Sequence, residues 1–308
     1  MGVPPARVLA PAIVFLGLGI VASCTTFDGL VAGDLPTDGS VGPDAEAADS
    51  SLGNETGSEL DARAEDTSTA DAGPDVYIAP DANFVCPIGP GPSMVKVGTY
   101  CIDSTEVTNT HYETFLAQAT AATLSTLPLA CSFKTSLVPG SWPQPPARAK
   151  RPVSSVDWCD AYAYCKFAGK RLCGTITGGA TPVTEYKDAS ASQWFGACSH
   201  AGDGNHAYPY ANTYDPAKCN GADRSGDGGL TIDVASANCI GGFPGIFDMS
   251  GNVEEWEDSC SAALGRTDDC QVRGGASDDL AAALRCDHNA KFARDYRSSH
   301  KGIRCCAP

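Results

Sequence analysis

The sequence predicts an α+β domain with little regular secondary structure, stapled by disulfides and preceded by an export signal and an acidic tether. Three observations carry that expectation. Fourteen cysteines fall between Cys86 and Cys306, an even number in a chain that opens with an apolar leader. Glycine and proline are dense throughout the same region, with 33 and 21 in the whole chain. Only a few short stretches keep a helical or strand period long enough to define an element.

The leader comes first. Val8 to Ala22 is an apolar run preceded by Arg7 and ending in "VASC". It is shorter than the roughly 20 residues a membrane-spanning helix needs, and it fits a signal peptide over residues 1–23. Small residues at Ala22 and Ser23 directly before Cys24 resemble a bacterial lipobox, which implies a lipid thioether on Cys24. Thr25, in place of aspartate, follows the cysteine and favours the outer membrane. An ordinary signal peptide with an incidental Cys24 is the alternative.

Residues 24–83 carry 14 acids against the single base Arg63. Such a stretch cannot bury enough apolar surface to offset its ordering entropy, so a disordered acidic tether is expected. It accounts for most of the chain's formal charge of −16. Residues 84–308 hold 23 acids and 19 bases with no basic stripe, which argues against nucleic acid as a partner.

Within 84–308 the elements follow in order. "SMVKVGTYCIDSTEV" (93–107) alternates like a strand pair, and "NTHYETFLAQAT" (109–120) places Tyr112, Phe115, Leu116 and Ala119 on one helical face. The five prolines between Leu124 and Lys150 predict loop. "VDWCDAYAYCKFAG" (156–169) reads as a second helix, capped by Ser155 or Asp157 and stopped at Gly169. Ser190–Ala197 suggests a short third helix, and the Gly, Asn and Asp density of 198–245 predicts loop held by bridges.

"FDMSGNVEEW" (247–256) admits two readings. Ser250 or Asn252 ahead of Glu254 and Glu255 looks like a helix N-cap with acids in its first turn. The other reading is a calcium loop, with carboxylates from Asp248 and Glu255 and the carbonyls of Gly251 and Val253 as hard oxygen donors. One further local cluster, His200, Asp203 and His206 in "CSHAGDGNH", has metal-ligating residue types, although two solvated loop histidines explain it more simply. No C-x₂-C pair marks a zinc site, and no phosphate loop or Ser/His/Asp order is visible.

Taken together, "IDSTEVTNTHYETFL", "RPVSSVDWCDAYAYCKFAGKRLC", "YPYANTYDPAKCN", "GIFDMSGNVEEW", "VRGGAS" and "GIRCC", in this order from 102 to 306, resemble the formylglycine-generating enzyme (sulfatase-modifying factor) domain family, and most closely its cysteine-rich exported lipoproteins. The resemblance implies one domain with a formylglycine-generating-enzyme fold, related to C-type lectins, with Ca²⁺ held in loops. It places one calcium on Asp248, Gly251, Val253 and Glu255 and a second on Asn220, Gly221, Asp227 and Gly229. Glu254 stands where the family has a tryptophan. By similarity Cys165 pairs with Cys305 or Cys306 and Cys198 with Cys286. Subfamily likeness and proximity suggest Cys86–Cys101, Cys131–Cys159, Cys219–Cys239 and Cys260–Cys270, leaving Cys173 for the second terminal cysteine.

The family's reaction oxidises a substrate cysteine with molecular oxygen and Cu(I), and two cysteines after the "GGS" motif hold the copper. Soft thiolates are what Cu(I) requires. Here "RGGASDDLAAALRC" puts Asp278, Asp279 and Leu280 to Leu284 in their place, so no Cu site and no catalytic residue is expected. Asp279, Asp287, His288 and Arg294 would line the family's substrate cleft. Two functions remain open. One is a calcium-stabilised binding or structural module at the cell envelope, lipid-anchored and recognising an envelope peptide, protein or glycan. The other is a metal-dependent oxidoreductase with rearranged ligands.

Overall fold

A computed structural model describes residues 84–308 except 225, 227 and 228. The signal peptide, Cys24, the tether and Asp227 therefore lie outside the described residues. Tight-turn chemistry starts the chain: β1 (Met94–Val97) and β2 (Tyr100–Asp103) pair antiparallel from Met94 opposite Asp103 to Val97 opposite Tyr100, turning at Gly98 with φ +55°. Thr108 then caps α1 (Asn109–Gln118): its side chain accepts from the His111 amide, and His111 accepts in return from the Thr108 amide. Tyr112 and Phe115 on its buried face meet Tyr164 and Phe167 of the next long helix with ring centroids 5.2–5.8 Å apart.

A one-turn helix α2 (Ala121–Ser125) reaches slightly into the stretch expected to be loop from Leu124 onward. Asp157, one of the two expected caps, accepts from Asp160 and starts α3 (Trp158–Phe167), and Gly169 at φ +69° ends it where the sequence places the stop. Next come β3 (Arg171–Leu172) and α4 (Gln193–Cys198), capped by Ser192. The remaining strands are β4 (Glu254–Cys260), β5 (Asp269–Arg273), β6 (Ala290–Ala293), β7 (Lys301–Gly302) and β8 (Cys305–Ala307). One sheet has the order β1-β2-β8-β3; the other, β6-β5-β4-β7, has a parallel β4–β7 pair.

The helix-cap reading of "FDMSGNVEEW" is overturned, because its end is the first half of β4. Asp248, Gly251 and Asn252 sit at φ +60°, +76° and +64°, which no helix start uses. The side chains that would cap are engaged at long range. Ser250 donates to the Leu284 carbonyl, and Asn252 bonds Glu106, Ile232 and Asn220.

Seven disulfides use all fourteen cysteines from Cys86 onward. The pairs are the expected ones, with the terminal ambiguity resolved as Cys165–Cys305 and Cys173–Cys306. Adjacent strand residues point to opposite faces, and β8 uses that. Cys165 and Cys305 belong to one apolar cluster with Tyr112, Trp158 and Trp256, whereas Cys173 and Cys306 belong to another with Trp194, Ile246 and Met249. One three-residue strand thus ties both cores.

Candidate metal centre and ligand cleft

The turn before β4 is held by backbone that tolerates no side chain. A Cβ on Gly251 would lie 2.3 Å from the Asn220 carbonyl oxygen, and the Asn252 amide donates to that same oxygen at 2.8 Å. This close approach brings Asn220, Asp248, Asn252 and Glu255 under Glu106, which follows β2. All five are buried.

Arg304, between β7 and β8, is the cation of this cluster. Its Nε lies 2.9 and 2.8 Å from the two Glu255 oxygens, and its other nitrogens donate to the carbonyls of Asp103 and Phe247 at 2.8 Å. Trp194 Nε1 donates to Glu255 Oε2 at 2.7 Å. Both Glu255 oxygens are therefore engaged: the carboxylate expected to bind calcium serves here as the counter-ion of the arginine that joins the two sheets.

The other two acids make no such contact pair among the described residues. Asp248 accepts from the Ala235 amide, and burial pushes its carboxyl up to about 6, with the Glu255 charge adding to the rise. Glu106 accepts from Asn252 Nδ2 at 3.1 Å through Oε2, while its buried Oε1 has no hydrogen-bond partner. Burial, then the charges of Asp248 and Glu255, hold Glu106 well above the usual carboxylate range. With all three acids ionised, Arg304 is ion-paired within the cluster to Glu255, while the charges of Arg304 and Arg224 act on Asp248 from a distance and do not undo the effect of burial. Buried charge of that kind calls for a proton or a cation.

The Asn220 side chain adds a second orphan. Its Nδ2 donates to the Leu230 carbonyl and Asn252 Oδ1, two acceptors that fix the amide's orientation, and this leaves Oδ1 buried without a partner. Unpartnered hard oxygens on Glu106 and Asn220 beside Asp248 suit Ca²⁺. Of the second expected set, the Gly221 carbonyl accepts from the Arg224 amide and the Gly229 carbonyl from Ser277 Oγ. Sequence reasoning misses Glu106, which lies just past the strand pair in "STEVTNT". Its signal, an acid inside an otherwise buried stretch, is legible only once burial is known.

Glu254, in the place of the family tryptophan, is buried and ion-paired to Lys301, whose ammonium lies 3.8 Å from the Phe292 ring centroid. An ion pair over an aromatic ring takes up the packing position.

The expected ligand cleft divides. Asp287 forms a bidentate pair with Arg285 at 2.7 and 2.9 Å and lines a cavity of about 820 Å³ with Glu185, Lys187, His206 and Arg285. Asp279 instead closes a turn by accepting from the Ala276 amide, and the His288 carbonyl accepts from Arg273. Arg294 is buried away from that cavity: it pairs with Asp268 at 3.1 Å, donates to the Ala262 and Gly265 carbonyls and stacks 4.5 Å from the Trp158 ring. Likeness to the family's cleft groups these four, but of them only Asp287 lines this cavity, and Arg294, just past β6, bonds the 262–268 turn instead. The cavity's Glu185 and Lys187 come from the polar loop before α4, which has no periodicity to mark it.

At the position of the copper-binding thiols the chain offers Asp278 and Asp279, and among the described residues every cysteine is in a disulfide. Comparison with known proteins agrees with the motif order. The Sulfatase-modifying factor enzyme 1-like domain matches residues 58–307. Two curated relatives carry the name "Inactive C-alpha-formylglycine-generating enzyme 2". The Bos taurus protein is 29% identical over 167 residues, 50% of this chain and 49% of the relative, and the Mus musculus protein is 28% identical, covering 50% and 48%. The chain thus spans about half the length of the curated relatives it matches. Among solved structures, the crystal structure of CarF is 21% identical with TM-score 0.49, covering 73% of this chain and 94% of that one. PvdO from Pseudomonas aeruginosa is 17% identical with TM-score 0.47, covering 76% and 88%.

Proposed function

The chain belongs to the sulfatase-modifying factor enzyme 1-like domain family, and from that premise we propose that it is an exported, lipid-anchored binding or structural module of the cell envelope, braced by calcium and without formylglycine-generating activity. The observation that carries this reading is the fate of the sulfur. The family's reaction needs two thiolates on Cu(I), and here acids and leucines occupy that stretch while all fourteen domain cysteines are bridged. The names of the two mammalian relatives, which call those proteins inactive, point the same way.

Glu106, Asp248, Asn220 and the carbonyls of Gly251 and Val253 are the groups that would hold calcium, with Glu255 fixing Arg304 beside them. The ion supplies neutralisation of buried charge. Anchoring through Cys24 and an acidic leash over residues 24–83 would present the domain away from the membrane surface, and loops on a bridged scaffold are where recognition residues concentrate. The cavity bounded by Lys187, Arg285 and Asp287 is mixed in charge, which suits an envelope peptide, protein or glycan more than a nucleic acid.

The test is direct. Purified protein is incubated with a cysteine-bearing sulfatase-type peptide, Cu(I) and air, beside an active member of the family, and aldehyde is trapped with a hydrazide probe. No aldehyde above the protein-free control is expected, and turnover of the peptide to aldehyde would overturn the proposal.

A further inference from the structure

Directly after α4 the chain makes a tight loop whose ends are pinned. Cys198 is bridged to Cys286, and the Cys286 amide donates to the Ala207 carbonyl at 2.8 Å, so both sides of the 199–206 segment are fixed to one point. The backbone of Gly242 closes over the entry: a Cβ there would lie 2.7 Å from the His200 amide nitrogen. Inside this frame the Asp203 carboxylate meets two imidazoles. His200 Nδ1 is 3.1 Å from Oδ2, and His206 Nδ1 is 2.9 Å from both Oδ1 and Oδ2. The His200 ring also packs edge-on against Phe243 at 4.9 Å.

One ligand atom from each residue lies within 4.8 Å of the others. A divalent ion bound at about 2.1 Å in tetrahedral geometry holds its donors roughly 3.4 Å apart. The oxygen–nitrogen separations fall just short of that distance and all three ligand atoms lie within 4.8 Å of one another, so an ion entering between the three groups asks for side-chain adjustment and no movement of the pinned loop ends. The ring nitrogens now aimed at Asp203 are the atoms a metal would take, and a carboxylate with two imidazoles is a donor set suited to borderline first-row cations. The side chains are 46%, 29% and 23% exposed for His200, Asp203 and His206, so solvent and ions have access. His206 lines the cavity of about 820 Å³ that also holds Lys187, Arg285 and Asp287, and a second of about 510 Å³ lined by Tyr210 and Phe243.

We propose that His200, Asp203 and His206 form a site for one divalent transition metal of the zinc class, with its remaining coordination positions open at the rim of the cavity that His206 lines. The site is chemically distinct from the all-oxygen cluster around Glu106 and Asp248, and the two take different ions. Hard Ca²⁺ prefers the oxygens; zinc prefers the imidazoles.

The full chain, stripped of metal and kept in excess calcium, is titrated with Zn²⁺ by calorimetry and, in parallel, with Co²⁺ followed by visible absorption. One equivalent of zinc is expected. D203N keeps the side chain's size but removes a charged ligand oxygen, and it should weaken binding by at least about 10-fold, the lower end of what loss of even an outer-shell partner costs. H200A/H206A should abolish binding and the cobalt bands while leaving the cooperative unfolding transition and the absence of domain thiols unchanged, because both rings are partly exposed and outside the apolar cores. No zinc uptake by the parent protein, or undiminished uptake by H200A/H206A, overturns the site.

Discussion

Replacing Asp248 by Asn tests the unpaired-charge reading of the buried cluster. Burial raises the Asp248 carboxyl from 3.8 to about 6, so between those values the folded domain holds a proton that the unfolded chain has released. Stability in the absence of calcium must then fall as pH rises through this window. A tenfold gain in proton affinity is worth about 1.4 kcal/mol, so losing this proton at neutral pH costs the folded domain roughly 3 kcal/mol. Calcium at 100 times its dissociation constant would restore about 2.7 kcal/mol, nearly the same amount. The assay is denaturant unfolding with disulfides intact, at pH 4 and pH 7, with and without calcium. Asp103 and Asp160 are also raised, to about 6 and about 7, and add to the slope of the parent protein. The informative quantity is therefore parent minus D248N. Without calcium, D248N should lose less stability than the parent on going from pH 4 to pH 7; with calcium at neutral pH, the parent should gain and D248N should gain far less. E106Q should behave alike, since Gln keeps the shape and the bond to Asn252 while removing the charge. Parallel pH curves for parent and D248N, or equal calcium gains, would refute the unpaired-charge argument.

Two further outcomes follow from named contacts. R304M leaves Glu255 buried without its cation, a loss of about 3–5 kcal/mol, while R304M/E255L should recover at least half of it; scanning calorimetry reads this as a drop of about 6–20 °C, at least half of which the second substitution restores. C131A/C159A opens the bridge that joins residues 28 apart, for which the chain-entropy relation gives about 3.5 kcal/mol at 25 °C, and thermal unfolding should shift by about 7–14 °C with no change in the other bridges.

Elements with local causes are legible in the sequence. α1 and α3 carry their own caps and apolar spacing and Gly169 its own stop; Cys198–Cys286 follows from likeness to a bridged family, and Cys219–Cys239 from proximity and subfamily likeness. The turn 247–256 is half legible. Asp248 belongs to the cluster, but Glu255 is bound to Arg304, a residue 49 positions away, and no local pattern encodes that. Glu106 meets Asn252 across 146 positions. Likeness to the family's cleft groups Arg294 with Asp287, but its partner is Asp268, 26 positions back, and no local pattern encodes that.

Buried acids throughout the domain show why the Glu106–Asp248 pair stands apart. Nine carboxylates are buried among the described residues. Seven of them meet a basic group: Asp103 with Lys170, Asp157 and Asp160 with Lys134 and Arg297, Glu254 with Lys301, Glu255 with Arg304, Glu257 with Arg273 and Asp268 with Arg294. A scaffold that matches nearly every buried acid to a base has no general tolerance for unpaired charge. The two exceptions lie in one place, within reach of each other's field and beside the orphaned oxygens of Glu106 and Asn220. A base lost at random would leave its acid anywhere in the domain, and a single isolated acid would simply take up a proton. Two acids and an unpartnered amide oxygen in one buried neighbourhood are instead the kind of hard oxygen donors a divalent ion takes. That clustering of unpaired acids, independent of any likeness to other proteins, is the reason to test calcium here and not at the seven matched pairs.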